Sequence, residues 1–88
     1  TMLVTGGAKG LGAAICNRAA RSGYDVAVLD LHRADCEALV KLLPAGRHLA
    51  LQANVARETE VATAFDELGV VPDLVVNNAG IVRFGPLA

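Results

Sequence analysis

Two spacings of apolar residues alternate along the chain. Short segments of strand length, with either a continuous apolar run or an alternating pattern, occur at Met2 to Val4, Asp25 to Asp30, Arg47 to Ala53 and Asp73 to Asn77. Between them, apolar residues recur three and four positions apart, which predicts helices at about Gly10 to Ser22, around Cys36 to Leu43 and at about Arg57 to Leu68. Glycine or proline follows each predicted helix closely. We therefore expect strands and helices in strict alternation.

This alternation predicts the topology of the sheet. Each helix returns the chain in the same direction, so consecutive strands run parallel, and the right-handed crossover rule fixes the face that each helix covers. Val26 to Leu29 is apolar throughout, as in a strand buried on both faces, whereas Arg47 to Ala53 alternates and predicts a half-exposed edge strand. We expect an α/β fold with four parallel strands in the order 3-2-1-4. That is one half of a doubly wound (Rossmann) sheet plus the first strand beyond its switch point.

Composition and charge exclude several classes of protein. The chain has 88 residues, enough for one domain but not for separate cofactor and substrate domains. Apolar residues make up 53% and the net charge is -1, with basic residues spread singly, which argues for a globular chain and against nucleic-acid or membrane partners. No apolar run approaches the roughly 20 residues of a membrane span, and the start lacks a signal-peptide pattern. A cytoplasmic location is the default expectation.

Neither the cysteines nor the histidines predict a metal site. Cys16 and Cys36 form no C-x-x-C pair, and we expect two reduced, semi-buried thiols. His32 and His48 lie in no metal-binding motif, and we expect them on the surface or in loops.

The richest chemical signal is the turn after the first strand, Thr5-Gly6-Gly7-Ala8-Lys9-Gly10-Leu11-Gly12. Its glycines would allow a tight turn at Gly6, the approach of a diphosphate to the helix N-terminus at Gly10 and a close helix-to-strand contact at Gly12. A Walker A loop is excluded because no Gly-Lys-Ser or Gly-Lys-Thr occurs, and G-x-G-x-x-G fails because Ile15 stands at its last position. The alternative is a glycine-rich turn that serves packing alone.

Together with the end of the fourth strand, this turn resembles the classical short-chain dehydrogenases/reductases. That family has T-G-x-x-x-G-x-G in its nucleotide loop and N-N-A-G after its fourth strand, which here is Asn77-Asn78-Ala79-Gly80. The resemblance covers essentially the whole chain. It implies the N-terminal part of a single NAD(P)-binding domain, in an oxidoreductase that interconverts a small-molecule alcohol and a ketone by hydride transfer. It also implies a homo-oligomer, either a dimer or a tetramer.

The family's catalytic groups are missing from this sequence. They are a Ser and a Tyr-x-x-x-Lys pair, in which the lysine lowers the pKa of the tyrosine. The only tyrosine is Tyr24, and the residue four positions later is Val28. We therefore expect the catalytic and substrate-binding part beyond Ala88. The alternatives are a non-catalytic dinucleotide-binding or regulatory module and a purely structural α/β fragment.

Asp30, at the end of the second strand, decides the predicted cofactor. A carboxylate there accepts hydrogen bonds from the ribose hydroxyls and repels a 2′-phosphate. Lys9 and Arg33 could both pair with such a phosphate. An exposed lysine contributes about 1 kcal/mol or less, whereas an anion beside a carboxylate costs on the order of a few kcal/mol. We predict NAD(H) over NADP(H); the alternative is an acid that merely marks a turn.

The resemblance implies further contacts with the adenosine half of the cofactor. Asn54 would contact the adenine amine region and Val55 the adenine face, Asn78 and Ala79 would line the ribose, and Gly80 would permit close backbone approach. The full predicted cofactor site is Gly6, Gly7, Ala8, Lys9, Gly10, Leu11, Gly12, Asp30, Leu31, Asn54, Val55, Asn78, Ala79 and Gly80. No residue of the chain is predicted to be catalytic or to bind a metal.

Overall fold

Strands and helices alternate as the apolar spacing predicts. The computed structural model describes residues 1–78. Its strands are β1 (Met2–Thr5), β2 (Val26–Asp30), β3 (Leu49–Gln52) and β4 (Leu74–Asn77), and its helices are α1 (Gly10–Arg21), α2 (Arg33–Leu42) and α3 (Glu58–Leu68). All three strand pairings are parallel and the order is β3-β2-β1-β4, so the predicted topology is confirmed.

The third strand is shorter than predicted. Arg47 and His48 belong to the loop before β3, because they direct their hydrogen bonds toward the start of β2. The Arg47 N–H donates to Asp25 Oδ1 at 3.1 Å, and His48 Nδ1 accepts from the Val26 N–H at 3.0 Å. His48 Nε2 donates to the carbonyl oxygen of Pro44 at 2.7 Å. His48 thus lies in a loop, as expected, and its ring also links the start of β2 to Pro44, which the sequence did not predict.

Two apolar cores lie on opposite faces of the sheet, because successive strand side chains alternate between faces. One core joins α1 and α2 to β1 and β2 and comprises Met2, Val4, Cys16, Ala19, Ala20, Val26, Val28, Cys36 and Leu43. The other joins α3 to the sheet and comprises Leu3, Ala27, Leu29, Leu51, Ala53, Ala64 and Leu68. The two central strands are thus held from both sides, which fixes the positions of their carboxyl ends.

Both cysteines are more deeply buried than the sequence predicts. Cys16 and Cys36 are fully buried and free, and each lies on the apolar face of its helix. Their Sγ atoms lie 3.6 Å from the Gly7 carbonyl oxygen and 3.5 Å from that of Leu51, respectively. Desolvation by burial raises the pKa of each thiol to about 11, which disfavours the reactive thiolate.

The outer strands are the exposed edges of the described sheet. In β4, Leu74 and Val75 are 46% and 37% exposed. An apolar groove of about 380 Å³ runs between α1 and β4, and a second of about 350 Å³ lies at the amino ends of the strands. Neither groove includes the glycine-rich turn or Asp30.

Candidate cofactor-binding site

A small cleft lies where the carboxyl ends of the strands meet. Its volume is about 150 Å³, and its lining residues are Gly6, Asp30, Leu31, Ala53, Asn54 and Val55. In open parallel sheets this edge, near the point where the strand order reverses, is where ligands bind. With the exception of Ala53, every lining residue is part of the site predicted from sequence. The fold therefore brings residues from three separate turns to one place.

Two glycines of the glycine-rich turn are explained by their backbone conformation. Gly6 and Gly10 have φ angles of 62° and 55°, in the left-handed region that residues with a Cβ rarely adopt. An added Cβ on Gly10 would meet nothing within 4 Å. The backbone conformation therefore accounts for glycine at this position, whether or not a diphosphate approaches it.

Gly7 and Gly12 are glycines for reasons of space. A Cβ on Gly7 would lie 3.1 Å from Cys16 Sγ, and a Cβ on Gly12 would lie 2.8 Å from Asn78 Nδ2 and closer still to the Gly6 carbonyl oxygen. The sequence predicted that Gly12 allows the helix to approach a strand. Its close contact is instead with the turn itself, so the first turn of α1 packs directly on Gly6.

Thr5 connects this turn to the end of β4. Thr5 is buried, with 1% of its surface exposed. Its hydroxyl lies 3.3 Å from both the Val76 carbonyl oxygen and Asn77 Oδ1, and it accepts a hydrogen bond from the Asn78 N–H at 3.1 Å. The Asn78 side chain then donates from Nδ2 to the Gly6 carbonyl oxygen at 3.2 Å. The sequence motif includes Thr5 without predicting these contacts; a lone hydroxyl at the end of a buried apolar strand was the available signal.

The start of α1 suits a negatively charged ligand. Lys9 is the N-cap, but its side chain makes no capping hydrogen bond, and the first turn holds no acidic residue. The first N–H groups of a helix have no acceptor within the helix, and they carry the positive end of the helix dipole. Such N-termini bind phosphate. Leu11, also predicted to contact the cofactor, lies on this first turn and is 70% exposed.

Asp30 lies against the same turn from the side of β2. Its Oδ2 accepts a hydrogen bond from the Ala8 N–H at 3.1 Å, and its Oδ1 accepts one from the Leu31 N–H at 2.7 Å. A carboxylate has about four lone-pair positions, so each oxygen retains a position for a further donor. The carboxylate is thus close enough to the turn to serve one ligand together with it.

The two basic side chains near Asp30 are both engaged with acids. Lys9 Nζ lies 3.4 Å from Asp35 Oδ2, and an Arg33 guanidinium nitrogen lies 3.4 Å from Glu67 Oε2. Arg33 also donates to the Ala50 carbonyl oxygen at 3.4 Å. The sequence placed both cations near the ribose position but did not predict their acidic partners.

Asn54 and Val55 form the far wall of the cleft. Asn54 Oδ1 accepts from the Ala56 N–H at 3.0 Å, and the Asn54 N–H donates to Glu60 Oε1 at 3.0 Å. Val55 packs against the core on the α3 face. These contacts fix the loop between β3 and α3, so that its backbone borders the cleft.

Ala79 and Gly80 lie outside the described residues. Within residues 1–78, no cluster of three or more His, Cys, Asp or Glu side chains is arranged to hold a metal ion. Over the same span, every helix is too short or too polar to cross a bilayer.

The glycine turn, the adjoining carboxylate and the Thr5 and Asn78 contacts thus occupy one edge of a parallel sheet. Residues 1–88 match the family described as short chain dehydrogenase. The chain belongs to this family. It is 39% identical to D-threitol dehydrogenase from Mycolicibacterium smegmatis over 90 residues, which covers 96% of the chain and 34% of that protein. It is 40% identical to human 3-oxoacyl-[acyl-carrier-protein] reductase over 88 residues, covering 96% of the chain and 36% of that protein.

The same relationship holds for solved structures. The Pseudomonas aeruginosa RhlG/NADP active-site complex superposes with a TM-score of 0.79 at 32% identity, covering 91% of the chain and 34% of that protein. Sorbitol-6-phosphate 2-dehydrogenase SrlD from Erwinia amylovora gives a TM-score of 0.74 at 32% identity, covering 94% of the chain and 35% of that protein. This member of the short chain dehydrogenase family therefore spans about a third of the length of these relatives.

Proposed function

We propose that this chain forms the dinucleotide-binding part of an NAD(H)-dependent oxidoreductase that interconverts an alcohol and a ketone. The observation that carries the proposal is the hydrogen bond from the Ala8 N–H to Asp30. It joins an anion-binding turn to an acceptor for hydroxyl groups. A diphosphate and its neighbouring ribose need these two chemistries side by side.

The residues of the turn fit a diphosphate. Gly7 and Gly12 leave no room for side chains between the turn and its surroundings, so the backbone itself forms the binding surface. The uncapped start of α1 offers N–H donors and a positive dipole end, and no acidic side chain in its first turn opposes an anion. We infer that the N–H groups of this first turn hold the phosphate oxygens.

Asp30 would select the ribose. Its carboxylate accepts hydrogen bonds from vicinal hydroxyls, and its charge opposes a 2′-phosphate at the same position. Leu31, 47% exposed beside it, and the Asn54–Val55 wall would border the adenine. Asn78, held on Gly6, would border the ribose from the β4 side.

A nicotinamide dinucleotide would supply the hydride donor or acceptor. The residues described above would bind and orient it, and we assign none of them to proton transfer. The 88 residues hold no Tyr-x-x-x-Lys, so we assign cofactor binding to this chain and the proton-transfer groups to another part of the polypeptide. A full sequence with a Ser followed by Tyr-x-x-x-Lys supports the enzyme; a full sequence without it supports a non-catalytic dinucleotide-binding module.

The cofactor preference is testable by titrating the full-length protein with NAD⁺ and NADP⁺ in a calorimeter. We expect the wild type to bind NAD⁺ more tightly. Asp30→Ala combined with Leu31→Arg should shift the ratio of the two dissociation constants toward NADP⁺ by at least about tenfold, or roughly 1.4 kcal/mol. The matched control is Asp66→Ala, which removes one exposed carboxylate from α3 and should leave the ratio unchanged.

The outcomes separate two failures. An unchanged ratio in the Asp30 and Leu31 variant would contradict the role of Asp30. No heat with either nucleotide in the wild type would contradict dinucleotide binding itself.

A further inference from the structure

A salt bridge links the glycine-rich turn to the start of α2. Lys9 Nζ lies 3.4 Å from Asp35 Oδ2. Lys9 directly follows Ala8, whose N–H is bonded to Asp30, and Asp35 lies in the first turn of α2 just beyond Asp30. The Lys9–Asp35 pair therefore links the turn that is bonded to Asp30 with the start of the helix that follows Asp30.

The basic side chains near Asp30 are paired with acids and are therefore less available to a ligand. The Lys9 side chain is 74% exposed, but its ammonium is paired with Asp35. Arg33 is drawn toward Glu67 on α3. The two cations closest in sequence to the turn and to Asp30 are thus already engaged with acids, Lys9 with Asp35 and Arg33 with Glu67.

A 2′-phosphate is the ligand feature most affected by this arrangement. It brings up to two negative charges to the ribose position, where a 2′-hydroxyl brings none. An unpaired Lys9 ammonium would attract that phosphate as a flexible point charge. An ammonium bound to Asp35 has first to exchange one anion for another, and Asp35 itself repels the phosphate.

We propose that Asp35 is a specificity-determining residue for the cofactor. It withholds the Lys9 ammonium from a 2′-phosphate and adds a second negative charge near the ribose, and so it disfavours NADP(H) without contacting NAD(H). The inference rests on the proposed function, and it explains how a basic residue in the glycine-rich turn is compatible with a preference for NAD(H).

The test is a double-mutant cycle on the full-length protein, with NAD⁺ and NADP⁺ titrated separately at low ionic strength. Asp35→Asn should tighten NADP⁺ binding about fivefold, which corresponds to roughly 1 kcal/mol at 1.36 kcal/mol per tenfold, and leave NAD⁺ binding within about twofold. Lys9→Met should weaken NADP⁺ binding less in the wild-type background than in the Asp35→Asn background, because in the wild type this cation is withheld. Combining Lys9→Met with Asp35→Asn should remove most of the gain.

Glu37→Gln is the matched control. It removes the same charge from the same helix at an exposed position, two residues from Asp35, where the side chain projects from a different side. It should change the NADP⁺ affinity less than about twofold. The gain in Asp35→Asn should also shrink as salt is raised, since the attraction it releases is between exposed charges.

Each result has one meaning. Asp35→Asn with an unchanged ratio of dissociation constants, in a protein that binds NAD⁺, overturns the role of Asp35 and leaves the proposed function standing. An equal gain with and without Lys9 overturns the mechanism through Lys9. A wild type that binds neither nucleotide overturns the proposed function, and this inference with it.

Discussion

Replacing Gly12 by alanine sets helix propensity against packing. Gly12 lies inside α1, and its backbone is not in the left-handed region. By propensity alone, alanine in a helix is favoured over glycine by about 1 kcal/mol. The new methyl group would nevertheless lie 2.9 Å from the Gly6 carbonyl carbon and 2.8 Å from Asn78 Nδ2. These distances are shorter than real Cβ contacts, so either α1 or the turn must move.

The expected magnitude follows from what has to move. Overpacking in a close contact costs roughly 1–3 kcal/mol. Moving Gly6 away also weakens the hydrogen bond from Asn78 Nδ2 to its carbonyl oxygen, for which about 1 kcal/mol is typical. After about 1 kcal/mol of favourable propensity is subtracted, we expect Gly12→Ala to lower the free energy of unfolding by roughly 1–3 kcal/mol.

Urea unfolding of the full-length protein measures this difference. The matched control is Asn17→Ala, at an exposed position of the same helix, where alanine should raise the free energy of unfolding by a few tenths of a kcal/mol. The two alanines should thus act with opposite sign. A Gly12→Ala protein at least as stable as the wild type would refute the packing argument, because propensity would then dominate at both positions.

Two further predictions concern buried groups. Thr5→Val should lower the free energy of unfolding by about 1–3 kcal/mol, because the Asn78 N–H loses its acceptor, whereas Thr5→Ser should lose less; equal urea midpoints for the two variants would argue against this role. Burial raises the pKa of the Cys16 and Cys36 thiols from 9.0 to about 11, so both thiols keep their protons in the folded chain after the unfolded chain has lost them. Stability should therefore be insensitive to these thiols below pH 9 and should fall between pH 9 and 11, by up to roughly 3 kcal/mol per thiol. Replacing both cysteines by alanine should flatten that part of the profile; an identical slope in both proteins would contradict it.

The topology was predictable because it depends on spacing. Strand-length segments that alternate with helical periods predict a parallel sheet, and the right-handed crossover rule fixes the face that each helix covers. The order of the strands is that of one half of a doubly wound sheet plus the first strand beyond its switch point. The start of β3 could not be predicted, because Arg47 and His48 are held outside the strand by tertiary hydrogen bonds. Period-two alternation continues through such residues without any sign of those bonds.

Some features of the candidate site could likewise be predicted from the sequence, and others could not. The meeting of Gly6 and Asp30 at one cleft was predictable because both follow the ends of neighbouring parallel strands. The close contact of Gly12 with the turn could not be predicted, since it depends on how α1 packs against the turn after β1. The pairing of Lys9 with Asp35 was also missed, because it depends on where α2 begins relative to a turn more than twenty residues earlier.

The turn between β1 and α1 is held at both ends by side chains from other parts of the chain. Asp30 fixes it at Ala8, and Asn78 fixes it at Gly6. A loop that is already ordered loses little conformational entropy when a ligand arrives, so more of the interaction energy is realised as affinity. For the nucleotide binding proposed above, association should accordingly proceed in a single kinetic phase, linear in nucleotide concentration, without a slow isomerisation of this loop.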